Sequence, residues 1–397
     1  MKNQLVILRH NNRILSCLIE NDQLAQINIS SENSEGLLHN IYIGKVKNIV
    51  KNINAAFVEI ADGQMCYYSL EENSHTIFVN QKNNHKVVIG DEIIVQVEKE
   101  GVKTKAPVVT SHLTLVGKYV VLTHGKVNLG ISNKIADQEK REQLMKVIES
   151  YKNDNYGLVI RTNAAEADRE LIENEITTLT DEYHNLLTYG VHKTCYSLIY
   201  ESPADYLCDI RDGYDTSVER IITDDALLYE KIKHYISSYQ SKDLTKLTLY
   251  EDKMLSLKAL YSIETKLEKA LQERVWLKSG GYLVIQPTEA LVVIDVNTGK
   301  AIAGKRNPEQ TFERINREAA EEIARQIRLR NLSGIIIIDF IDVKAKASKE
   351  ALLVLLKNLF KKDPVRTVVV DMTPLNLVEV TRKKVRKPLY EQMKDVN

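Results

Sequence analysis

The C-terminal third of the sequence lacks the side chains on which most metal-free hydrolases and zinc sites depend. All nine histidines lie at or before His234, and Cys208 is the last of the four cysteines. A histidine acid/base pair, a Ser-His-Asp triad, a cysteine nucleophile or an imidazole-ligated zinc site there would need help from another part of the chain. The cysteines also form no Cys-x-x-Cys pair, which favours buried free thiols over a zinc knuckle or a thioredoxin-type motif.

Long apolar runs and an excess of charge are missing too. No run approaches the roughly 18–20 apolar residues that a membrane span requires, and the N-terminus has no signal-peptide pattern. We therefore expect a cytoplasmic protein with no membrane span. The formal net charge is zero, so nucleic acid would have to be bound by local basic stripes rather than by bulk charge. At 397 residues, the chain is long enough for roughly two to four domains.

Three short runs of apolar, mostly β-branched residues each end on an aspartate. The runs and the residues that follow them are 291–294 with Asp295, 335–338 with Asp339, and 367–370 with Asp371. Runs of this kind, separated by helix-length segments, predict central strands of a parallel sheet covered by helices. The carboxyl ends of such strands share one edge, where ligands bind, so the three carboxylates are expected to converge and repel unless protons or a cation intervene. Oxygen-only ligands favour a hard ion, above all Mg²⁺.

The segment after the first run adds a third polar group. Asp295 and Asn297 point to the same side of an extended chain, because strand side chains alternate, so both could reach one ion or one phosphate. The loop at 300–308 is rich in Lys, Arg and Gly, as a phosphate-handling loop should be. Apolar spacing predicts helices at 136–151, 165–189, 226–239, 255–273 and 309–330. The arginines of the last helix either contact RNA or form a solvated face.

The N-terminal part is predicted to be largely β-structure. Residues 1–29 contain three short strands joined by Asn-rich turns, and residues 37–112 alternate as in a small closed barrel. The segments NIYIGKV, AAFVEI, YY and GDEIIVQV look like the OB-fold RNA-binding domain named after a ribosomal protein. Phe57 and Tyr67 fall where that family places base-stacking aromatics, although a strand aromatic is more often a core residue. Lys105 is either a phosphate contact or a solvated lysine.

Longer motifs extend the resemblance to most of the chain. The stretches ALVVIDVNTGKA, REAAEEIARQIRLRNLSGIIIIDFID and LVEVTRKKVRKPL are similar to the ribonuclease E/G family of endoribonucleases, and SGGYLVIQPTEAL, RTNA and LTLVGKYVVL continue the match upstream in the same order. The resemblance implies an α/β and all-β multidomain chain. It would contain an RNase H-like subdomain (1–35 plus 211–271), interrupted by an OB-fold domain (36–112) and a 5′-sensor domain (113–210). A DNase I-like α/β catalytic domain (272–397) would follow.

The resemblance also implies roles for particular residues. Asp295 and Asp339 match the two aspartates that hold the catalytic magnesium, and Asn297 matches the asparagine beside them, whereas Asp371 matches no ligand position. The family cleaves single-stranded RNA with metal-activated water and leaves 5′-phosphate and 3′-hydroxyl ends. The positions that match its pocket for the RNA 5′ phosphate are Gly117, Val121, Arg161, Thr162 and Arg366.

At two places the sequence departs from the family pattern, which limits how far the family's properties can be expected of this chain. Asn133 replaces one arginine of the 5′ pocket, with Lys134 beside it, which removes a bidentate phosphate contact and weakens the expectation of 5′-monophosphate sensing. The family's Cys-Pro-x-Cys zinc link and small domain are expected after TRKKVRKPL, but this chain ends at Asn397. We therefore expect any homodimer to be held without a zinc link.

The sequence thus predicts a magnesium-dependent endoribonuclease that cleaves single-stranded RNA in RNA processing or decay, including maturation of ribosomal RNA. One alternative is a non-catalytic RNA-binding or ribosome-associated factor, against which the intact carboxylates argue. The other is a metal-dependent nuclease that acts on DNA, because base stacking does not distinguish the two nucleic acids.

Overall fold

The computed structural model describes residues 3–31, 36–61, 63–80, 82, 84, 86–101, 106–212, 218–300 and 308–394. The strands are β1 Asn3–His10, β2 Arg13–Glu20, β3 Gln23–Ser30, β4 Ile41–Val50, β5 Ala55–Glu59, β6 Met65–Ser69, β7 Ile77–Phe78, β8 Glu92–Lys99, β9 Val108–Thr110, β10 Thr114–Val116, β11 Val120–His124, β12 Gly130–Ile131, β13 Tyr156–Ile160, β14 Leu198–Tyr200, β15 Val218–Thr223, β16 Leu247–Leu249, β17 Arg274–Trp276, β18 Tyr282–Pro287, β19 Val292–Asn297, β20 Gly334–Asp339, β21 Thr367–Met372 and β22 Leu377–Arg382. The helices are α1 Gln138–Glu149, α2 Arg169–Gly190, α3 Asp205–Asp212, α4 Ala226–Tyr239, α5 Leu257–Leu260, α6 Ile263–Leu271, α7 Pro308–Leu329, α8 Lys346–Phe360 and α9 Leu389–Lys394.

The chain divides into two units, of which the first comprises residues 1–32, 217–234 and 242–397, and the second residues 33–216 and 235–241. In the first unit, β1, β2 and β3 form an antiparallel meander, and β1 also pairs in parallel with β15 from beyond residue 217. With β16 they make a five-stranded sheet in the order β16-β15-β1-β2-β3. The N-terminal strands therefore bury their apolar residues only with partners from much later in the chain. The four-domain division stays a prediction.

A second sheet of the first unit has six strands in the order β17-β18-β19-β20-β22-β21. Only β19 and β20 are parallel neighbours, because β22 runs antiparallel between β20 and β21. The prediction of a parallel sheet with three central strands is therefore wrong in part: the sheet is mixed, and β21 is an edge strand. Helices α7 and α8 pack on one face through a core that includes Ile294, Ile336 and Val380. Ile335 and Val368, on the other face, are exposed, so the helices that the structure describes do not cover both faces as predicted.

Helix α7 is shared by the two sheets of this unit. Its residues Ile315, Ile323 and Ile327 pack in the core of the six-stranded sheet, whereas Leu329 joins the core of the five-stranded sheet. Two arginines of this helix bind the N-terminal meander: Arg325 Nη1 donates to the Leu24 carbonyl at 2.7 Å, and Arg328 Nη2 to the Glu20 carboxylate at 2.6 Å. Their guanidinium groups thus stabilise the fold.

The second unit contains a closed barrel and a smaller sheet. Five strands pair each with the next in the order β4-β5-β6-β9-β8. Because β8 also pairs with β4, they close a five-stranded barrel of the OB type. Strands β10, β11, β13 and β12 form a four-stranded sheet covered by α1 and α2. The chain is thus a mixed α/β protein that contains a β-barrel. This coarse part of the fold prediction is confirmed.

Two smaller expectations can be compared with the structure. All four cysteines are free, and Cys17 and Cys66 are buried, but Cys195 and Cys208 are partly exposed, so the prediction of four buried thiols holds for two. Among the residues that the structure describes, no helix is long and apolar enough to cross a membrane.

Candidate active site

Asp295 and Asp339 lie side by side at the carboxyl ends of two adjacent parallel strands. Asp295 lies two residues before the end of β19, Asp339 ends β20, and the two residues are paired directly in the register of the sheet. Because Ile294 and Ile338 point into the helix-covered core, alternation places both carboxylates on the opposite face. Asp295 is half-buried and Asp339 is exposed. The sheet therefore presents two neighbouring carboxylates to ligands from its more open side.

Asn297 fixes the orientation of the first carboxylate. Its Nδ2 donates to Asp295 Oδ2 at 2.5 Å, as expected for two residues on the same side of one strand. The chain turns directly after this point, where Gly299 has φ +51° and a Cβ would lie 2.5 Å from the Gly280 carbonyl oxygen. Only glycine fits this close approach of two backbones. The end of β19 is thus held against the turn between β17 and β18.

The charges of the site repel one another. Partial burial raises the pKa of Asp339, and the carboxylates of Asp295 and Asp342 raise it further. Asp342 lies three residues after Asp339 and accepts a hydrogen bond from Asn376 Nδ2 at 2.9 Å, while Asn376 Oδ1 accepts one from Lys349 Nζ at 2.6 Å. Asp342 is therefore tied to the β21–β22 turn and does not cap α8, whose N-cap is Ala345.

The donor set suits magnesium better than a metal ion that needs three or more protein side chains as ligands. Within the described part of the chain, no three His, Cys, Asp or Glu side chains form a metal-binding cluster. Two carboxylates with an amide beside them match Mg²⁺, which usually keeps several waters and binds protein through one or two carboxylates. The mutual repulsion of Asp295 and Asp339 is the electrostatic situation that a divalent cation relieves. Residues 301–307 of the loop 300–308, which was expected to handle phosphate, lie outside the described residues.

Asp371 does not join this pair. It pairs in register with Glu379 of β22, so one antiparallel strand separates β21 from Asp339. Its carboxylate accepts a hydrogen bond from the backbone of Met372 at 2.8 Å. The three strand ends share an edge, as expected, but only two of the three aspartates are adjacent.

The barrel displays the two predicted aromatic rings on its surface. Phe57 of β5 and Tyr67 of β6 are directly paired, and their ring centroids are 6.4 Å apart at 83°. Both rings are half-buried, whereas the neighbouring Tyr68 is fully buried and belongs to the barrel core. The alternative that Phe57 and Tyr67 are core residues is thus not favoured. Lys105 lies outside the described residues.

Four of the predicted 5′-pocket residues lie close together in the second unit. Arg161 Nη1 donates to the Gly117 carbonyl at 2.6 Å, and Thr162 Oγ1 is 3.0 Å from Ser132 Oγ. Val121 pairs across the sheet with Val159, two residues before Arg161. Asn133, directly after Ser132, is exposed. Arg366 belongs to the first unit, where it is exposed and its carbonyl accepts a hydrogen bond from Lys383.

Two acidic residues that the sequence did not single out hold this region. The backbone N–H groups of Lys118, Tyr119 and Val120 all donate to the carboxylate of Glu175, at 2.7–2.9 Å. Asp212 accepts a hydrogen bond from Arg161 at 2.9 Å. Burial alone would raise the pKa of Asp212, but Arg211 and Arg161 outweigh it and leave the pKa lowered. The guanidinium predicted to bind a 5′ phosphate is therefore already paired with a carboxylate.

Known proteins resemble this chain over most of its length. Residues 114–385 match the model of the Ribonuclease E/G family. Ribonuclease G of Haemophilus influenzae is 32% identical over 388 residues, which is 95% of this chain and 79% of the relative. Ribonuclease G of Escherichia coli strain K12 is 33% identical over 381 residues, covering 94% and 78%. Ribonuclease E of a Synechocystis strain is 30% identical over 376 residues, covering 93% and 55%.

These matches first define the class of protein: an enzyme, and specifically an endoribonuclease. The chain belongs to the ribonuclease E/G family. The family prediction made from the sequence motifs is thus confirmed.

Proposed function

We propose that this endoribonuclease depends on magnesium and cleaves single-stranded RNA in RNA processing or decay, including maturation of ribosomal RNA, leaving 5′-phosphate and 3′-hydroxyl ends. The observation that carries the proposal is the direct pairing of Asp295 with Asp339 across adjacent parallel strands. This pairing sets two carboxylates on one face with no histidine after His234 to act as acid or base. Carboxylate–metal chemistry is what such a site supports best.

The roles of the residues follow from their geometry. Asp295 and Asp339 would hold the ion, which supplies an acidified water and a counter-charge for the phosphoryl group. Asn297 positions Asp295 by donating to its Oδ2. Asp339 is exposed, so the backbone of a single strand can approach it without an opening of the fold.

The barrel supplies an attachment for unpaired bases. Stacked aromatic rings bind single strands with little dependence on sequence, and Phe57 and Tyr67 offer two such rings at right angles on one surface. We propose that they bind bases of the substrate and that Lys105 contacts its backbone. Both rings belong to adjacent strands of a closed barrel, so their positions are fixed before RNA binds.

Replacing Phe57 or Tyr67 by alanine is expected to raise the Kd for a single-stranded RNA about 5- to 150-fold, because each lost stacking contact is worth about 1–3 kcal/mol. Binding is measured in EDTA so that cleavage does not interfere. Ile53→Ala is the matched control, since Ile53 is a 54% exposed apolar side chain of the same unit. Phe57→Leu keeps apolar volume without a ring and should bind as weakly as Phe57→Ala; unchanged affinity in all three ring variants would exclude the rings from RNA binding.

We propose further that sensing of a 5′ monophosphate is weak in this chain. A phosphate would have to displace Asp212 from Arg161, and Asn133 offers no guanidinium in compensation. Gly117, Val121 and Thr162 remain the proposed lining of the 5′ pocket, and the role of Arg366 stays a prediction from the resemblance.

One experiment tests the proposed function as a whole. Matched RNA oligonucleotides with a 5′ monophosphate or a 5′ hydroxyl, and a DNA control, are incubated with the protein in magnesium or in EDTA. We expect both RNAs to be cleaved in magnesium but not in EDTA, at similar rates and with new 5′-phosphate ends. Binding without cleavage would support a non-catalytic RNA-binding factor, and equal cleavage of DNA would support a general nuclease.

A further inference from the structure

An aromatic and cationic cluster lies on the outer strands of the six-stranded sheet. The rings of Trp276 on β17 and Tyr282 on β18 have centroids 5.2 Å apart at 57°. The guanidinium of Arg274 lies over both rings, with its Cζ 4.5 Å from the Tyr282 centroid and 5.8 Å from the Trp276 centroid. Trp276 is the one tryptophan of the sequence, and 62% of it is exposed. We call these three residues the aromatic platform.

The register of the sheet places the aromatic platform beside the carboxylate pair. Two rows of directly paired residues cross the neighbouring strands. One row is Trp276, Tyr282 and Asn297, and the other is Arg274, Val284, Asp295 and Asp339. Residues directly opposite one another in a sheet point to the same face, so the platform and both carboxylates face the same side. Strands are about 4.8 Å apart, which puts Tyr282 one strand and Trp276 two strands from β19.

The helix-covered core does not account for this cluster. The neighbours of the platform residues, Val275 and Leu283, point to the other face and contribute to the apolar core. Tyr282 also has a structural contact, because its ring covers the turn at Gly299. Trp276 does not belong to the apolar core, and its largely exposed indole can stack on a ligand.

The chemistry of the platform complements a nucleotide. An exposed indole offers a flat surface for a base, and a guanidinium beside it attracts the phosphate that the base carries. The carboxylate pair repels phosphates, and Arg274 is a positive group on the same sheet face that can offset this repulsion. An unpaired base is the ligand that uses both the ring and the charge.

We propose that the aromatic platform holds the base of a nucleotide next to the scissile phosphate and so positions the single strand across Asp295 and Asp339. The inference rests on the proposed function of the carboxylate pair. It assigns Trp276 as the stacking surface, Arg274 as the phosphate contact and Tyr282 as the support between them. Because stacking ignores base identity, the platform selects for an unpaired base rather than for a sequence.

The test compares Trp276→Ala with the wild type on one RNA and on a series of copies, each with a single abasic nucleotide near the cleavage site. Trp276→Ala should lower kcat/KM for the intact RNA about tenfold, and Trp276→Phe should restore most of it. At one position of the series, the abasic nucleotide should lower the kcat/KM of the wild type by a similar factor. The same abasic nucleotide should cause no further loss of kcat/KM with Trp276→Ala. Tyr189→Ala is the matched control, since that ring is 64% exposed and belongs to the other unit.

Each outcome bears on one of the two proposals. If the wild type cleaves RNA and Trp276→Ala keeps its kcat/KM within twofold, the platform is not a subsite and the proposed function stands. The same conclusion follows if, at every abasic position, the loss of kcat/KM for Trp276→Ala on the abasic RNA equals the product of the two separate losses. If the wild type cleaves no RNA in magnesium, the proposed function itself fails. Equal thermal unfolding midpoints for Trp276→Ala and the wild type would show that a loss of activity is not a loss of fold.

Discussion

Asp295→Asn and Asp339→Asn are each expected to lower RNA cleavage at saturating magnesium about a thousandfold, with the Kd for uncleaved RNA changed little. Each substitution keeps the shape of the side chain but removes one of two anionic ligands. The proposed metal site would then stabilise the phosphoryl charge less, by several kcal/mol, and about 4 kcal/mol corresponds to a thousandfold in rate. Single-turnover cleavage and binding in EDTA measure the two quantities separately.

A control for this prediction lies on the same edge of the sheet. Asp371 is an exposed aspartate at the end of β21, separated from Asp339 by β22. Asp371→Asn removes the same charge from a neighbouring strand end, and its cleavage rate should stay within about twofold of the wild type. Full activity of Asp295→Asn or Asp339→Asn would refute the metal site. Equal losses in all three variants would show that the total negative charge of this edge matters rather than the pair.

The contrast between these aspartates shows what apolar runs encode. A run that ends on a carboxylate predicts a buried strand and the side of the sheet where it stops, and all three runs do end at one edge. It does not encode the neighbour of each strand. β22 enters between β20 and β21 because 377–382 carries its own alternating pattern, which suits either position. Only the pairing decides which two carboxylates meet.

Other differences have local causes. The predicted helix 255–273 is broken into α5 and α6 because Ser262 adopts a left-handed conformation with φ +49°, which no periodic pattern reveals. The role of Glu175 was also not predictable. Its carboxylate binds backbone N–H groups that lie more than 50 residues earlier, and backbone donors leave no mark in a sequence. By contrast, α1, α2 and α7 follow their amphipathic patterns to within a few residues.

Asp363→Ala is expected to destabilise the six-stranded sheet by about 3–5 kcal/mol, because it leaves the cation of Arg382 buried without its counter-charge. The two side chains are 2% and 3% exposed, and Arg382 Nε donates to Asp363 Oδ2 at 2.8 Å. Arg382 also donates to Asn331 Oδ1 at 2.8 Å and to the Leu332 carbonyl at 3.1 Å. The ion pair thus joins the end of β22 to the turns before β20 and β21, at the edge opposite Asp295 and Asp339.

The single tryptophan makes this prediction measurable, because Trp276 lies in the same sheet and its fluorescence reports the unfolding of that sheet. The urea midpoint of Asp363→Ala should fall by about 1–5 M, given a loss of about 3–5 kcal/mol and a slope of about 1–3 kcal/mol per M. Glu350→Ala is the control: it breaks the ion pair of Lys346 and Glu350, whose side chains are 90% and 66% exposed, and exposed pairs contribute about 0–1 kcal/mol. Equal midpoints for the two variants would mean that water or a rearranged neighbour replaces the lost carboxylate, and that the buried pair does not hold these connections together.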